Sequence, residues 1–145
     1  MNYKLPNQSK LFTNQFRSFD DRGSILSIVD QQIQNVSIIE CNKNTIRSNH
    51  YHIKDFHFMY VLEGKIDYFF KSLTGTKVFY YEVNNGETIF TPSQEIHATF
   101  FPCSTKLIVS SGFPRDQETY ENDTVRVKFL NEENIEKYLN KYAKK

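Results

Sequence analysis

Apolar residues in this chain come in short bursts separated by turn chemistry. The bursts fall at Ser24–Val29, Val36–Cys41, Ile46–Tyr51, His57–Glu63, Lys65–Lys71, Lys77–Val83, Glu87–Phe90, His97–Phe101 and Lys106–Ser111. Between them stand Glu63-Gly64, Thr74-Gly75, Asn84-Asn85-Gly86, Pro92-Ser93 and Phe101-Pro102. Gly, Pro, Asn and Ser favour turns because they tolerate or pre-set the dihedrals that a chain reversal needs. Many short strands at regular spacing predict an all-β sandwich or barrel. Residues 1–23 are polar and end in the turn signal F-D-D-R-G.

The period changes at the end of the chain. Ile135, Tyr138, Leu139 and Tyr142 follow i, i+3, i+4, i+7, the stripe of a helix with one buried face. Asn131 is the expected N-cap, Glu132 and Glu133 fall in the first turn, and lysines occupy the last. Those charges suit the helix dipole. The sequence therefore predicts a β domain over 1–130 and a helix over 131–145 packed on its outside.

Composition narrows the class. At 145 residues the chain is long enough for one core. Aromatics make up 15%, from 13 Phe and 9 Tyr, and such residues fit half-buried pleated surfaces. A formal net charge of +1 gives no electrostatic footprint for nucleic acid. No apolar run has membrane-spanning length, and the first ten residues lack a secretory apolar core. Cys41 and Cys103 stand far apart and read as free thiols. A cytoplasmic protein is expected, with neither nucleic acid nor membrane as partner.

The candidate chemistry lies in the histidines. The chain has 4: His50, His52 and His57 within N-H-Y-H-I-K-D-F-H, and His97 in G-E-T-I-F-T-P-S-Q-E-I-H. Side chains at i and i+2 share one face of a strand, so His50 and His52 point the same way. With period two, Ile46 and Ser48 join them, and Arg47 and Tyr51 point oppositely unless a bulge re-aims one. His57, Met59 and Val61 share the inner face of the next strand. Imidazoles suit Zn, Fe, Ni or Cu, so His50, His52, His57 and His97 form a candidate ligand set for a divalent transition metal. A catalytic metal site often keeps three protein ligands, which leaves His57 or His97 as a base or a supporting residue. Tyr60, Glu82 and Glu40 are candidate acceptors for a ligand's second nitrogen. The acidic stretch Asp116–Asp123 reads as a solvated loop, with a lid or a dimer contact as alternatives. The run Val78-Phe79-Tyr80-Tyr81 is apolar on both faces, as a strand covered by the C-terminal helix or by a second subunit would be.

These residues resemble the cupin superfamily. Its first motif, G-x5-H-x-H-x3/4-E-x6-G, is met by His50-x-His52, then His57, then Gly64; the leading Gly is absent and His57 stands for the Glu. Its second, G-x5-P-x-G-x2-H-x3-N, is met by Gly86, Pro92 and His97, with Gln94 and Phe101 in place of the second Gly and the Asn. The resemblance implies a cupin-type double-stranded β-helix, a jelly-roll barrel, and a homodimer. The segments F-D-D-R-G-S-I-L-S-I-V-D, R-S-N-H-Y-H and F-M-Y-V-L-E-G-K-I-D are similar to small cupins of polysaccharide and nucleotide-deoxysugar biosynthesis, epimerases and 3,4-oxoisomerases among them.

That narrower resemblance implies a nucleotide-linked keto-deoxysugar as substrate. His50, His52 and a tyrosine, Tyr60 or Tyr68, would move the proton. Arg22, Arg47 and Lys71 would meet the diphosphate, since guanidinium forks match phosphate oxygens. A metal would assist, though related enzymes also work without one. Two other readings remain open at this level: a mononuclear-iron dioxygenase of a small molecule, and a non-catalytic sugar-binding barrel.

Overall fold

The computed structural model describes residues 4–13 and 16–143; the terminal lysines at 144 and 145 lie outside the described residues. The strands are β1 Lys10–Phe12, β2 Phe16–Asp20, β3 Gly23–Leu26, β4 Asn35–Cys41, β5 Thr45–His52, β6 His57–Glu63, β7 Lys65–Ser72, β8 Phe79–Asn84, β9 Thr88–Thr91, β10 Glu95–Phe101, β11 Thr105–Ser111 and β12 Thr124–Arg126. Helix α1 spans Gln117–Asp123, and α2 spans Ile135–Tyr138 and runs into a π-helical turn at Leu139–Ala143. Two five-stranded antiparallel sheets, β1-β9-β6-β11-β4 and β12-β5-β10-β7-β8, form the barrel, and β2-β3 is a separate hairpin. The fold is the all-β jelly roll expected from the strand pattern, with the C-terminal helix.

The two sheets meet through an apolar core that includes Val61, Ile66, Tyr68, Val83, Ile89 and Val109, each at most 1% exposed. These are the inward positions of their strands, and burying them supplies the main drive to close the barrel. The β6–β7 turn is held tight. Gly64 has φ +92°, and a Cβ there would lie 2.5 Å from Thr105 Oγ1 and 2.6 Å from Ser104 O, so only glycine fits.

A second apolar cluster lies outside the β12-β5-β10-β7-β8 sheet. Phe69, Ile96, Ala98 and Phe100 pack there against Phe129, Leu130, Ile135 and Leu139. Strand β10 is buried along its whole length because the barrel interior covers one face and the C-terminal segment the other. Tyr80 meets Phe69 at 5.1 Å between ring centroids, and Phe69 meets Tyr138 at 5.7 Å. Val78 and Tyr80 are thus covered by the chain's own C-terminal segment, while Tyr81 packs on the barrel core and Phe79 stays 38% exposed. Asn131 accepts from the backbone of Glu133 and Asn134 at 2.9 Å, and Asn134 is the N-cap of α2. The helix starts one turn later than the charge pattern predicts, because Asn131 caps that preliminary turn.

Candidate functional site

On the side of the barrel bounded by β4, β5, β10 and β11, apolar side chains do not fill the interior. A cavity of about 330 Å³ remains. His50, His57 and His97 line it, with Arg47, Arg115 and Tyr120. The four histidines converge: ring centroids are 4.7 Å apart for His50–His52, 4.7 Å for His50–His97 and 4.6 Å for His52–His57. All four are buried, His52 and His97 at 1% exposure.

Register explains how β5 delivers these groups. His97 pairs with His50, but Ala98 pairs with Ser48, so Asn49 is an extra residue on β5. Ser48 and Asn49 both take left-handed dihedrals, φ 69° and 55°. A bulge shifts alternation by one residue. Arg47 therefore reaches the cavity beside His50, and Ile46 turns outward into the cluster under the C-terminal segment. Strict period two predicts the opposite for both; the bulge is the physical reason.

Three of the four histidines are held from behind. His57 Nε2 lies 3.0 Å from Asp55 Oδ2, and Asp55 Oδ1 accepts from the backbone of Phe56 at 2.8 Å and Phe113 at 3.1 Å. Asp123, the last residue of α1, accepts from the backbone of Lys54 at 2.8 Å and Asp55 at 3.0 Å, and its Oδ2 lies 3.5 Å from His52 Nδ1. His97 Nδ1 donates to the Glu95 carbonyl at 3.2 Å, which leaves Nε2 for the cluster. Behind His97 the Tyr68 ring stacks at 6.1 Å, and its hydroxyl bonds Ser9 Oγ at 2.7 Å and Thr91 Oγ1 at 2.8 Å. Ser9 Oγ in turn donates to Glu95. These buried partners, not Tyr60, Glu82 or Glu40, fix the rings.

Burial is the main reason His50, His52 and His97 resist protonation. His50 is lowered to about 4, by desolvation first and then by His57, Arg126 and Arg115. His52 and His97 also sit below the ordinary histidine range, burial again coming first. Near neutral pH these three are neutral imidazoles, the form that accepts a proton or a metal. His50, His52 and His97 bring ligating nitrogens within 4.8 Å of one another, and His52 Nε2 is buried with no hydrogen-bond partner. That donor set and orphaned atom fit a divalent transition metal. A second group, His52, Asp55 and His57, meets the same distance limit.

Three residues expected at the site stand elsewhere. Tyr60 is on the outer face of β6, because His57, Met59 and Val61 take the inner one. Lys71 lies on the outer face of β7, with its ammonium 4.7 Å from the Phe129 ring. Arg22 is on the β2–β3 hairpin, its side chain 90% exposed and paired to Asp20 at 2.6 Å. The stretch read as a solvated loop is instead α1, capped by Asp116, which accepts from Thr119 N at 3.0 Å. It places Tyr120 5.7 Å from His52 and 6.4 Å from His50, between centroids, with the Arg115 guanidinium 5.2 Å from the Tyr120 ring. The Asp116 N-cap with Glu118 in the first turn was the available signal for this helix.

No protein-family model matches the chain, and no curated protein sequence matches it. Solved structures do. A sugar 3,4-ketoisomerase from Thermoanaerobacterium thermosaccharolyticum, crystallised with TDP, superposes with a TM-score of 0.67 at 18% identity, covering 97% of this chain and 98% of its own. A TDP-quinovose 3,4-ketoisomerase from Campylobacter jejuni gives 0.68 at 18%, covering 83% and 94%. A dTDP-4-dehydrorhamnose 3,5-epimerase from Sulfolobus tokodaii gives 0.66 at 15%, covering 90% and 86%. At such identities the likeness establishes the fold, a cupin-type jelly roll.

Proposed function

We propose that this protein is an isomerase or epimerase of a nucleotide-linked keto-deoxysugar, serving cell-surface polysaccharide biosynthesis. The observation that carries the reading is a cluster of buried imidazoles, His50 and His97 neutral among them, facing a cavity that also presents Arg47 and Arg115. Two guanidinium groups beside proton-accepting rings match a substrate with a diphosphate at one end and an acidic C–H next to a carbonyl at the other. The fold is shared with enzymes named for such chemistry.

His50, the cavity-facing member of the pair, takes the carbon-bound proton onto nitrogen, and the electron pair of that C–H bond moves toward the carbonyl oxygen. Tyr120, which lines the same cavity, protonates that oxygen from its hydroxyl. A proton then goes back to the former carbonyl carbon while the neighbouring hydroxyl gives its proton to the Tyr120 phenolate, which completes isomerisation. In epimerisation the proton goes to the opposite face of the same carbon and the enol oxygen returns its proton to Tyr120. His52 and His97 pack against the base, and its burial, with His57, Arg126 and Arg115 nearby, keeps it neutral. With a divalent metal bound, His50, His52 and His97 would hold it, it would supply Lewis-acid polarisation of the carbonyl, and the remaining cavity-lining imidazole, His57, would take the proton in place of His50. The three-imidazole set also fits the dioxygenase alternative; the two guanidiniums favour the diphosphate-bearing substrate.

A homodimer goes with this reading. Val36 and Ile38 on the edge strand β4 are 59% and 70% exposed, and Phe19 on the hairpin is 84% exposed. Exposed apolar residues beside an open sheet edge need a cover. Among the described residues no helix is long and apolar enough to cross a membrane, and both cysteines are free; a cytoplasmic location follows on this reading.

Incubation with TDP-4-keto-6-deoxyglucose in D₂O, followed by proton NMR, tests the proposal. The proton next to the carbonyl should exchange and an isomer should accumulate. Absence of both the exchange and any thermal stabilisation by TDP would sink it. Elemental analysis of wild type against the His50→Ala/His52→Ala variant tests the metal, and equal content in both would remove it.

A further inference from the structure

The bulge in β5 is held open by a residue that does not line the cavity. Asn49 faces away from the histidines, and its amide pairs with the backbone of Leu130 in both directions. Asn49 Nδ2 donates to Leu130 O at 2.9 Å, and Leu130 N donates to Asn49 Oδ1 at 2.9 Å. Its own carbonyl accepts from Val127 N at 2.9 Å. Strand β12 pairs with β5 as far as Arg126↔His50, so these bonds continue that ladder beyond the bulge. The side chain of Asn49 stands in for a stretch of strand backbone. Leu130 is in turn anchored, 3% exposed, among Phe129, Ile135 and Leu139.

Two consecutive non-glycine residues with positive φ are costly, for serine more than for asparagine. Such a conformation persists where the surroundings impose it. Without the amide clamp, β5 can relax to regular alternation. That one-residue shift would exchange the faces of its first half. Ile46 would then turn toward the cavity and Arg47 toward the C-terminal segment. Arg47 is exposed at the cavity and its Nη2 reaches the Glu40 carbonyl at 3.5 Å, a weak contact that does not fix its direction alone.

We infer that Asn49 is a positioning residue: by clamping the β5 bulge to Leu130 it aims Arg47 into the cavity, and so sets affinity for the diphosphate of the substrate. The diphosphate role rests on the reading given under Proposed function. The aiming of Arg47 stands on the bulge itself. The C-terminal segment thereby acts on ligand binding without touching the ligand.

The test uses Asn49→Gly, Asn49→Asp and Arg47→Ala, with TDP binding by calorimetry and a crystal structure of Asn49→Gly. Glycine accepts φ 55° without strain but has no amide, so it isolates the clamp. TDP affinity should fall about tenfold in both Asn49→Gly and Arg47→Ala, the worth of a charge-assisted hydrogen bond. Asn49→Asp keeps the acceptor for Leu130 N and should fall between them and wild type. The Asn49→Gly/Arg47→Ala double variant should bind within about twofold of Arg47→Ala alone, because both changes remove one contact. In turnover, KM should rise with kcat held, a split that general loosening would not give. Additive losses, or an Asn49→Gly structure with Arg47 still in the cavity and Ile46 outside, would overturn the inference. If wild type binds no TDP, the nucleotide-sugar reading fails, and the Arg47 direction in Asn49→Gly still decides the role of Asn49.

Discussion

The barrel has two unlike sides built from the same strands. Where β6, β7, β8 and β9 face one another, inward positions are Val61, Ile66, Val83 and Ile89, and none leaves space. Where β5, β10 and the start of β6 face one another, inward positions are His50, His52, His97 and His57, and a cavity of about 330 Å³ stays open. Strand β6 crosses from one regime to the other within three inward residues: His57, Met59, Val61. The packed side supplies the rigidity that lets the open side tolerate desolvated imidazoles, while the strained bulge is held by the clamp from Asn49 to Leu130. Stability and chemistry are thus separated by position along single strands, not by domain.

Four experiments can break or sharpen that contrast. The largest effect belongs to the open side. His50→Gln should lower turnover by about 10²- to 10⁴-fold, the usual worth of a positioned acid–base group, while its urea midpoint stays close to wild type. A large loss of stability in this variant would erase the division between the two sides. On the packed side the reverse holds. Ile66→Ala should cost about 2–5 kcal/mol of stability and leave kcat nearly unchanged when measured well below its melting temperature.

Acidification comes next. His50 is held to about 4 in the folded protein against an unfolded value of 6.5. The folded state therefore binds fewer protons than the unfolded state between those values, and stability falls as pH drops through that window. His50 alone contributes up to about 3 kcal/mol of this loss. Urea titrations at pH 7.5, 5.5 and 4.5 should show it, and His50→Gln should flatten the dependence. A pH-independent midpoint would mean that the rings are hydrated. The smallest effect is expected where the sides meet. Tyr68→Phe deletes the hydroxyl that joins Ser9 to Thr91 and should cost about 1–3 kcal/mol, with a modest change in turnover through the His97 wall.

Much of the fold could be read from alternation alone. Strands β4 to β11 lie close to the apolar bursts, and the convergence of four histidines follows from inward positions on neighbouring strands. Period two also places Tyr60 and Lys71 outward, since Met59 and Phe70 are apolar inward neighbours, so both could have been removed from the site before any coordinates. Other features had no pattern to read. The bulge at Ser48-Asn49 carries no glycine, and nothing local announces that Leu130, far along the chain, makes that conformation affordable. Helix α1 has no buried residue, hence no apolar stripe, and only its cap marked it. Asp55 and Asp123 look like ordinary surface carboxylates until the β5–β6 loop and the end of α1 are brought together.

Ser9 has a consequence for handling the molecule. It sits 1% exposed, bonded to Glu95 and to the phenol behind His97. Ser9 is therefore a stopper in the barrel wall. A shortened gene product starting at residue 10 would uncork that wall, admit solvent to the rear of an imidazole, and dull the protein from a point no ligand ever visits.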